Sequence, residues 1–288
     1  MQARTMAISV IAVLAASPGL WMSAHATGQT IIPIDQGRSV STDSVNAPQC
    51  GADFLSDLEA AVAFEPFDGF VQTQHGCDSG FAGATAGQQS RIDATSMSAT
   101  STATSEAYGP VLGVVHAFGV SLFVVTFEVA RQSRFAIDGT MSAGSFPDGI
   151  AEALGLVRVW EGPIGGVLIF VRSVAPEIGG ELNTQVLEGI GVLEPGVYTL
   201  DVQAGAFIDN EVPPGRTAEA SFDFTFDVSI LGDLDGDGAV GILDFLQLLG
   251  EWGPCPVPPA ACAGDLDGDG VVGILDFLLL LGNWGTCP

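Results

Sequence analysis

Between residues 221 and 230 the chain alternates without a break: Phe222, Phe224, Phe226, Val228 and Ile230 on one side, Ser221, Asp223, Thr225, Asp227 and Ser229 on the other. A period of two sends successive side chains to opposite faces of an extended strand, so this segment predicts a strand with one face in a core and one in water. The same alternation recurs at Phe135, Ile137 and Met141 against Ala136, Asp138 and Thr140, and at Tyr198, Leu200 and Val202 against Thr199, Asp201 and Gln203. Apolar runs at residues 120–129, 154–160 and 166–172 add further strands, with Pro163-Ile164-Gly165 as the turn between the last two. Residues 82–107, mostly Ala, Ser, Thr and Gly, read as a strand of small side chains packed beneath larger neighbours, with a flexible, O-glycosylated linker as the rival reading. Six or more strands at this spacing predict a mainly β fold over residues 27–230, a β-sandwich of jelly-roll-like character.

Past residue 230 the pattern changes. Two copies of a 22-residue unit, GDLDGDGAVGILDFLQLLGEWG from Gly232 and GDLDGDGVVGILDFLLLLGNWG from Gly264, are offset by 32 residues. They differ only at Ala239 against Val271, Gln247 against Leu279 and Glu251 against Asn283. Each unit predicts a loop followed by a short helix, residues 242–249 and 274–281, with Gly250 and Gly282 placed to end it in a left-handed conformation. The helices are apolar on nearly every side, so each needs cover from its partner helix, from the β-domain or from another molecule. Residues 231–288 therefore form a second unit of the chain.

Charge narrows the chemistry. Of 288 residues 34 are acidic and 8 basic, all eight being Arg, for a net charge of -26. Such a chain lacks the basic footprint that nucleic acid or an anionic membrane demands, and cations are the partners that remain. With 47% hydrophobic residues and only 15% charged ones, it has the material for a core and is no disordered polyanion. Residues 231–288 hold nine acids and no base.

Eight of those nine acids fall at positions 1, 3, 5 and 12 of two twelve-residue loops: Asp233, Asp235, Asp237 and Asp244, then Asp265, Asp267, Asp269 and Asp276. This is EF-hand spacing. A hard cation such as Ca2+ takes six to eight oxygens. Alternate side chains of a tight loop supply carboxylates, position 7 (Ala239, Val271) a backbone carbonyl, position 9 (Gly241, Gly273) a water, and position 12 closes the shell. Gly238 and Gly270 stand at position 6, where the chain turns sharply, and Val240 and Val272 at position 8 supply apolar residues able to pair the two loops. Two Ca2+ ions would reduce the charge of this unit from -9 to -5. Zinc is disfavoured, since the unit has no His and its sulfurs lie outside both loops.

Neither loop has a helix before it, so each is half of an EF-hand. Two loop-plus-helix units with Asp at position 12 and a short Pro-rich connector resemble a type I dockerin. The resemblance covers about a fifth of the chain. It implies two Ca2+ sites on the residues just named and attachment to an extracellular, cohesin-like protein partner. The chain departs from the family at loop positions 10 and 11, where Ile242-Leu243 and Ile274-Leu275 replace the usual polar residues, and in having no basic pair in the helices. What it offers a partner is apolar. The β-domain is loosely similar to exported bacterial β-sandwich ectodomains.

Residues 1–26 combine Arg4, an apolar run over residues 6–16, a break at Pro18-Gly19 and the ending Ala24-His25-Ala26, which reads as a secretory signal peptide cut after Ala26. Without it no transmembrane anchor is expected, and the chain reads as secreted or displayed at the cell surface. Five Cys would then meet an oxidising compartment. Cys50 is expected to pair with Cys77 and Cys255 with Cys262, leaving Cys287 free or intermolecular. No catalytic constellation stands out, so the leading reading is a non-enzymatic, secreted calcium-binding protein. Its rival is a polysaccharide-degrading, glycoside hydrolase-type, or carbohydrate-binding subunit carried on a dockerin.

Overall fold

The computed structural model describes residues 30–47, 54–77, 80–108, 114–147, 151–177, 180–208, 215–256 and 262–286. The signal-peptide segment, Cys50 and Cys287 lie outside them, as does the side chain of Cys77, so the Cys50–Cys77 pairing falls outside the described residues.

Thirteen strands precede the tail: β1 (Ile32–Gln36), β2 (Ser39–Ala47), β3 (Leu55–Ala60), β4 (Phe67–Cys77), β5 (Gly80–Ile92), β6 (Ser96–Tyr108), β7 (Val114–Val129), β8 (Ser133–Phe146), β9 (Glu152–Glu161), β10 (Val167–Val174), β11 (Asn183–Leu193), β12 (Gly196–Ile208) and β13 (Arg216–Ile230). They form two antiparallel sheets, one ordered β10-β9-β12-β7-β2-β3 with β1 also on β7, the other β11-β8-β13-β6-β5-β4. Side chains of both sheets join one core, in which Phe123 of β7 meets Phe224 of β13 edge to face at 5.2 Å and Phe135 stacks on Phe226 at 5.4 Å. The strand centred on residues 221–230 is β13, with Phe222, Phe224, Phe226, Val228 and Ile230 all buried as their alternation requires.

Residues 82–107 correct the expectation of a single strand. They make the hairpin of β5 and β6, turning where the Asp93 amide donates to Ser96 O at 2.8 Å. Their small side chains are explained by the partner sheet: a Cβ on Gly119 of β7 would lie 2.5 Å from Thr85 O and 2.7 Å from Thr104 O. The sheets approach so closely there that Ala84, Ala86 and Ala103 fill the gap. Two hydrogen bonds cross it, Gln88 Nε2 donating to Ser121 Oγ at 2.9 Å and Ser105 Oγ to Ala206 O at 2.6 Å.

Two polar residues are buried where the sequence placed them in water. Thr199 and Asp201 of β12 sit on the outer face of their sheet, yet both are covered. Arg158 on the neighbouring β9 folds over Asp201 in an ion pair, and the Thr199 hydroxyl donates to Gly162 O at 2.8 Å. Arg38 is buried outright, its guanidinium reaching Ala63 O at 3.0 Å, Glu65 O at 2.7 Å and Ser90 Oγ at 3.3 Å, which fastens the β3–β4 connection. Burial lowers its pKa to about 10, so it stays charged at neutral pH.

The tail adds β14 (Ala239–Val240), α1 (Ile242–Gly250), β15 (Gly253–Pro254), β16 (Val271–Val272), α2 (Ile274–Gly282) and β17 (Gly285–Thr286). Its core gathers Val240, Leu248, Leu266, Val272 and Leu280 with Ile230 and Leu231 from the end of β13. The body also holds it through Arg131, in the β7–β8 turn, which donates to Asn283 O at 3.2 Å and Gly285 O at 3.1 Å. Among the described residues no helix is long and apolar enough to cross a membrane.

Two substitutions probe this packing by chemical denaturation. Phe226→Ala empties the stacked centre of the core and is expected to cost about 3–5 kcal/mol. Gly119→Ala forces the sheets apart and is expected to cost about 1–3 kcal/mol, whereas an unchanged midpoint would show the gap to be looser than described.

Candidate metal centre

The two loops are held by the same set of hydrogen bonds. In the first, Asp233 accepts the amides of Gly236 at 2.9 Å and Gly238 at 3.0 Å, Asp235 accepts Asp237 N at 3.1 Å, and Asp237 accepts Ala239 N at 2.8 Å. Asp244 takes three amides, those of Leu234 at 2.7 Å, Asp235 at 3.1 Å and Gly241 at 2.6 Å. In the second loop Asp265 accepts Gly268 N at 2.9 Å and Gly270 N at 3.0 Å, Asp267 accepts Asp269 N at 3.0 Å, and Asp269 accepts Val271 N at 2.8 Å. Asp276 again takes three amides, from Leu266 at 2.7 Å, Asp267 at 3.1 Å and Gly273 at 2.6 Å. Each carboxylate thus accepts backbone amides that close the turn of its loop.

Local sequence sets this geometry. Gly238 and Gly270 at position 6 have φ of +86° and +88°, as the EF-hand spacing requires, and Gly236 and Gly268 at position 4 share a φ of +77°. Gly241 and Gly273, expected at the water position, are the N-caps of α1 and α2. Asp244 and Asp276 are the third residues of those helices, where a carboxylate both caps the Gly amide and faces the positive end of the helix dipole.

Three of the four expected carboxylates converge in each loop, though not the same three. Ligand oxygens of Asp233, Asp235 and Asp244 lie within 4.8 Å of one another, as do those of Asp265, Asp267 and Asp269. Asp237 and Asp276 stand outside these groups. Two oxygens that share one Ca2+ at about 2.4 Å can be no more than about 4.8 Å apart, so both triads fit a hard cation. Ala239 and Val271, the expected carbonyl donors, begin β14 and β16. A third group, Cys255, Cys262 and Asp265, offers no thiolate, because the two Cys form a disulfide with an S–S distance of 1.98 Å. That bond was expected, and the β15–β16 ladder explains it by placing Cys255 N 2.9 Å from Gly270 O.

Two expectations for the tail are corrected. Val240 and Val272 do not pair the loops with each other; β14 pairs with β17 and β15 with β16, so each loop is laddered to the chain that follows the other repeat's helix. Gly250 and Gly282 are the last helical residues, and the left-handed glycines are Gly253 and Gly285, at φ of +121° and +112°. Sequence reasoning also missed Glu251, which accepts Gly264 N at 2.8 Å, and Asn283, whose amide donates to Leu279 O at 3.0 Å beside the Arg131 contact. The signal was present, since this is one of the three positions where the repeats differ.

Both helices turn an apolar face outward. Ile242, Leu243, Leu246, Leu249 and Trp252 are each 44–59% exposed, and their counterparts Ile274, Leu275, Leu278, Leu281 and Trp284 differ from them by at most 4 points. Among the described residues neither the partner helix nor the body buries them.

One carboxyl in each loop, Asp233 and Asp267, is held above the ordinary carboxylate range. Burial pushes the Asp233 carboxyl up, against the amides of Gly238 and Gly236, and Asp244 and Asp237 push it the same way. At Asp267 the amide of Asp269 pulls the pKa down but is outweighed by desolvation and by the charges of Asp276, Asp269 and Asp265, so the net shift is upward. In the body, burial raises Asp43, and burial with the nearby Asp138 raises Asp227.

No protein-family model matches the chain, and no curated protein does. Among solved structures it is similar to bacteriophage CBA120 tailspike protein 4, at 12% identity and a TM-score of 0.21 over 56% of this chain and 19% of that one. It is also similar to a structure of infectious bursal disease virus Gt strain, at 12% identity and a TM-score of 0.25 over 70% of this chain and 58% of that one. The isomalto-dextranase of Arthrobacter globiformis complexed with panose follows at 11% identity and a TM-score of 0.19, over 70% of this chain and 32% of that one. The chain spans less than two thirds of each of these chains.

A raised folded-state pKa means that the folded chain holds its protons more tightly than the unfolded one. Its stabilising effect is full below the unfolded carboxylate value, near pH 4, and is lost as pH rises through the folded value. In chelator, the melting temperature of the full chain is therefore expected to rise between pH 7 and about pH 4.5. With excess Ca2+ it is expected to fall over the same range, because protons compete for the ligands. Parallel curves in the two conditions would contradict this.

Proposed function

We propose that this is an exported calcium-binding protein whose dockerin-like tail, ordered by two Ca2+ ions, attaches the β-sheet body to an extracellular partner. One observation carries the reading: two loops in a base-free segment repeat one carboxylate-amide network and each bring three carboxylates within reach of a single cation. The ligands in the first site are Asp233, Asp235 and Asp244 and in the second Asp265, Asp267 and Asp269, with Asp237 and Asp276 able to complete the shells. Only oxygen donors are present in these triads, which suits Ca2+ and not a thiophilic metal. Bound Ca2+ supplies positive charge and nothing more. It relieves the repulsion that the bare loops carry, and the energy of binding becomes energy of folding.

The last ligand position of each loop, Asp244 or Asp276, is already the third residue of a helix, so a cation that fixes the loops also fixes the apolar stripes. Attachment follows from that coupling. The stripes are half exposed on a chain otherwise rich in surface acid, and their regular placement suits contact with another molecule.

Isothermal titration calorimetry of the full chain with CaCl2 tests the reading. Two sites are expected, with one lost in Asp233→Ala and the other in Asp265→Ala. Absence of binding heat at any Ca2+ concentration up to about 10 mM, beyond even weak extracellular sites, would reject it.

A further inference from the structure

We infer that the outward face of α1 and α2 is occupied by the same face of a second copy, the two helix pairs closing into a four-helix interface. The inference deepens the attachment reading by naming the partner, and it rests on that reading for the ordering of the helices by metal.

On α1 the residues Ile242, Leu246 and Leu249 stand one helical turn apart along one side, and Asp244 and Leu248 are buried on the other. The sidedness is inverted from that of an ordinary surface helix: the carboxylate is inside and the outer stripe has no charged or polar side chain. α2 repeats the arrangement with Asp276 and Leu280 inside. Leu248 and Leu280 belong to one hydrophobic cluster, so both stripes lie on the side of the helix pair that faces away from it. Phe245 and Phe277 close the seam between the helices at 5.3 Å.

Three features point to a second copy. The first is symmetry: the two repeats are laddered to one another reciprocally, Val240 on Gly285 and Val272 on Gly253, and expose matched stripes, which gives the face an approximate internal two-fold; a two-fold dimer sets such a surface against itself, residue i meeting j and j meeting i. Setting α1 against the partner's α2 satisfies this at every position at once, with the geometry of a small helix bundle. The second is area. Ten apolar side chains at about half exposure leave roughly 800–1,000 Å² in water, about what one partner contributes to a standard interface. The third is chemistry: apart from the indole N–H groups of Trp252 and Trp284, the ten side chains of this face are purely apolar and carry no charge, and like covers like. The net charge of -26 opposes pairing at long range, which fixes the sign of the salt dependence. Self-association through this face strengthens as salt rises, whereas capture of a basic partner weakens.

Sedimentation velocity of the full chain in Ca2+ decides between them. The expected result is a dimer at micromolar concentration that tightens between about 0.05 and 0.5 M NaCl. The double variant Leu246→Glu/Leu278→Glu is expected to weaken it by at least about tenfold. Both positions are exposed in the monomer, and calorimetry that still shows two Ca2+ sites confirms that the variant is folded. A monomer at about 100 μM with both Ca2+ sites filled would overturn the inference while leaving the metal reading intact. So would a dimer that the double variant does not disturb, which would place the interface elsewhere. A dimer lost in the double variant, formed by a chain with no Ca2+ heat, would support the pairing and overturn the metal reading instead.

Discussion

The carboxylates of Asp244 and Asp276 accept three backbone amides apiece, and the loop, helix start and two-residue ladder of each repeat meet at that point. A tight loop that reverses direction over so few residues leaves amides without carbonyl partners, and a buried amide without an acceptor is costly. Here side-chain oxygens fill that need, which is why Asp stands at positions 1, 3 and 5 of each loop, with Gly at positions 4 and 6 where the chain turns. The solution has its own cost, since it gathers like charges on one side of the loop. At Asp233 and Asp267 these neighbouring charges add to the burial that raises the carboxyl pKa.

A cation resolves the conflict between hydrogen bonding and repulsion. Residues 231–288 contain neither Lys nor Arg, and Arg131 of the body donates to backbone carbonyls past α2. The same contact breaks the symmetry of the repeats. Asn283 sits beside the body, while its counterpart Glu251 reaches the opposite loop, so the second repeat anchors the tail and the first is tied to it through Gly264. The outer faces of the helices keep their equivalence, their residues being exposed to nearly the same degree in both repeats.

Much of this was legible in the residues. Strict alternation located β8, β12 and β13, and the Asp and Gly spacing located both loops, because in each case the physical demand repeats locally along the chain. What was illegible is non-local. The turn at Asp93 is hidden because small residues occupy both faces of β5 and β6, and only the closeness of Gly119 on the other sheet explains them. Asp201 reads as a solvent-facing residue until Arg158 on an adjacent strand closes over it. The ladders β14–β17 and β15–β16 are two residues long and join segments of different repeats, too short to leave a pattern. The difference between Glu251 and Asn283 was visible as a mismatch but acquires meaning only once the body stands beside one of them.

Cation binding by the loops is most directly read at the backbone amides of Gly238 and Gly270, which donate to Asp233 and Asp265 at the heart of each site. In a Ca2+ titration of the isotopically labelled full chain followed by NMR, both amide resonances should move and stop moving when two equivalents have been added. If both stay fixed while Ca2+ rises to millimolar excess, the carboxylates serve only to close the turns, and the account of the tail as a calcium-organised module is wrong.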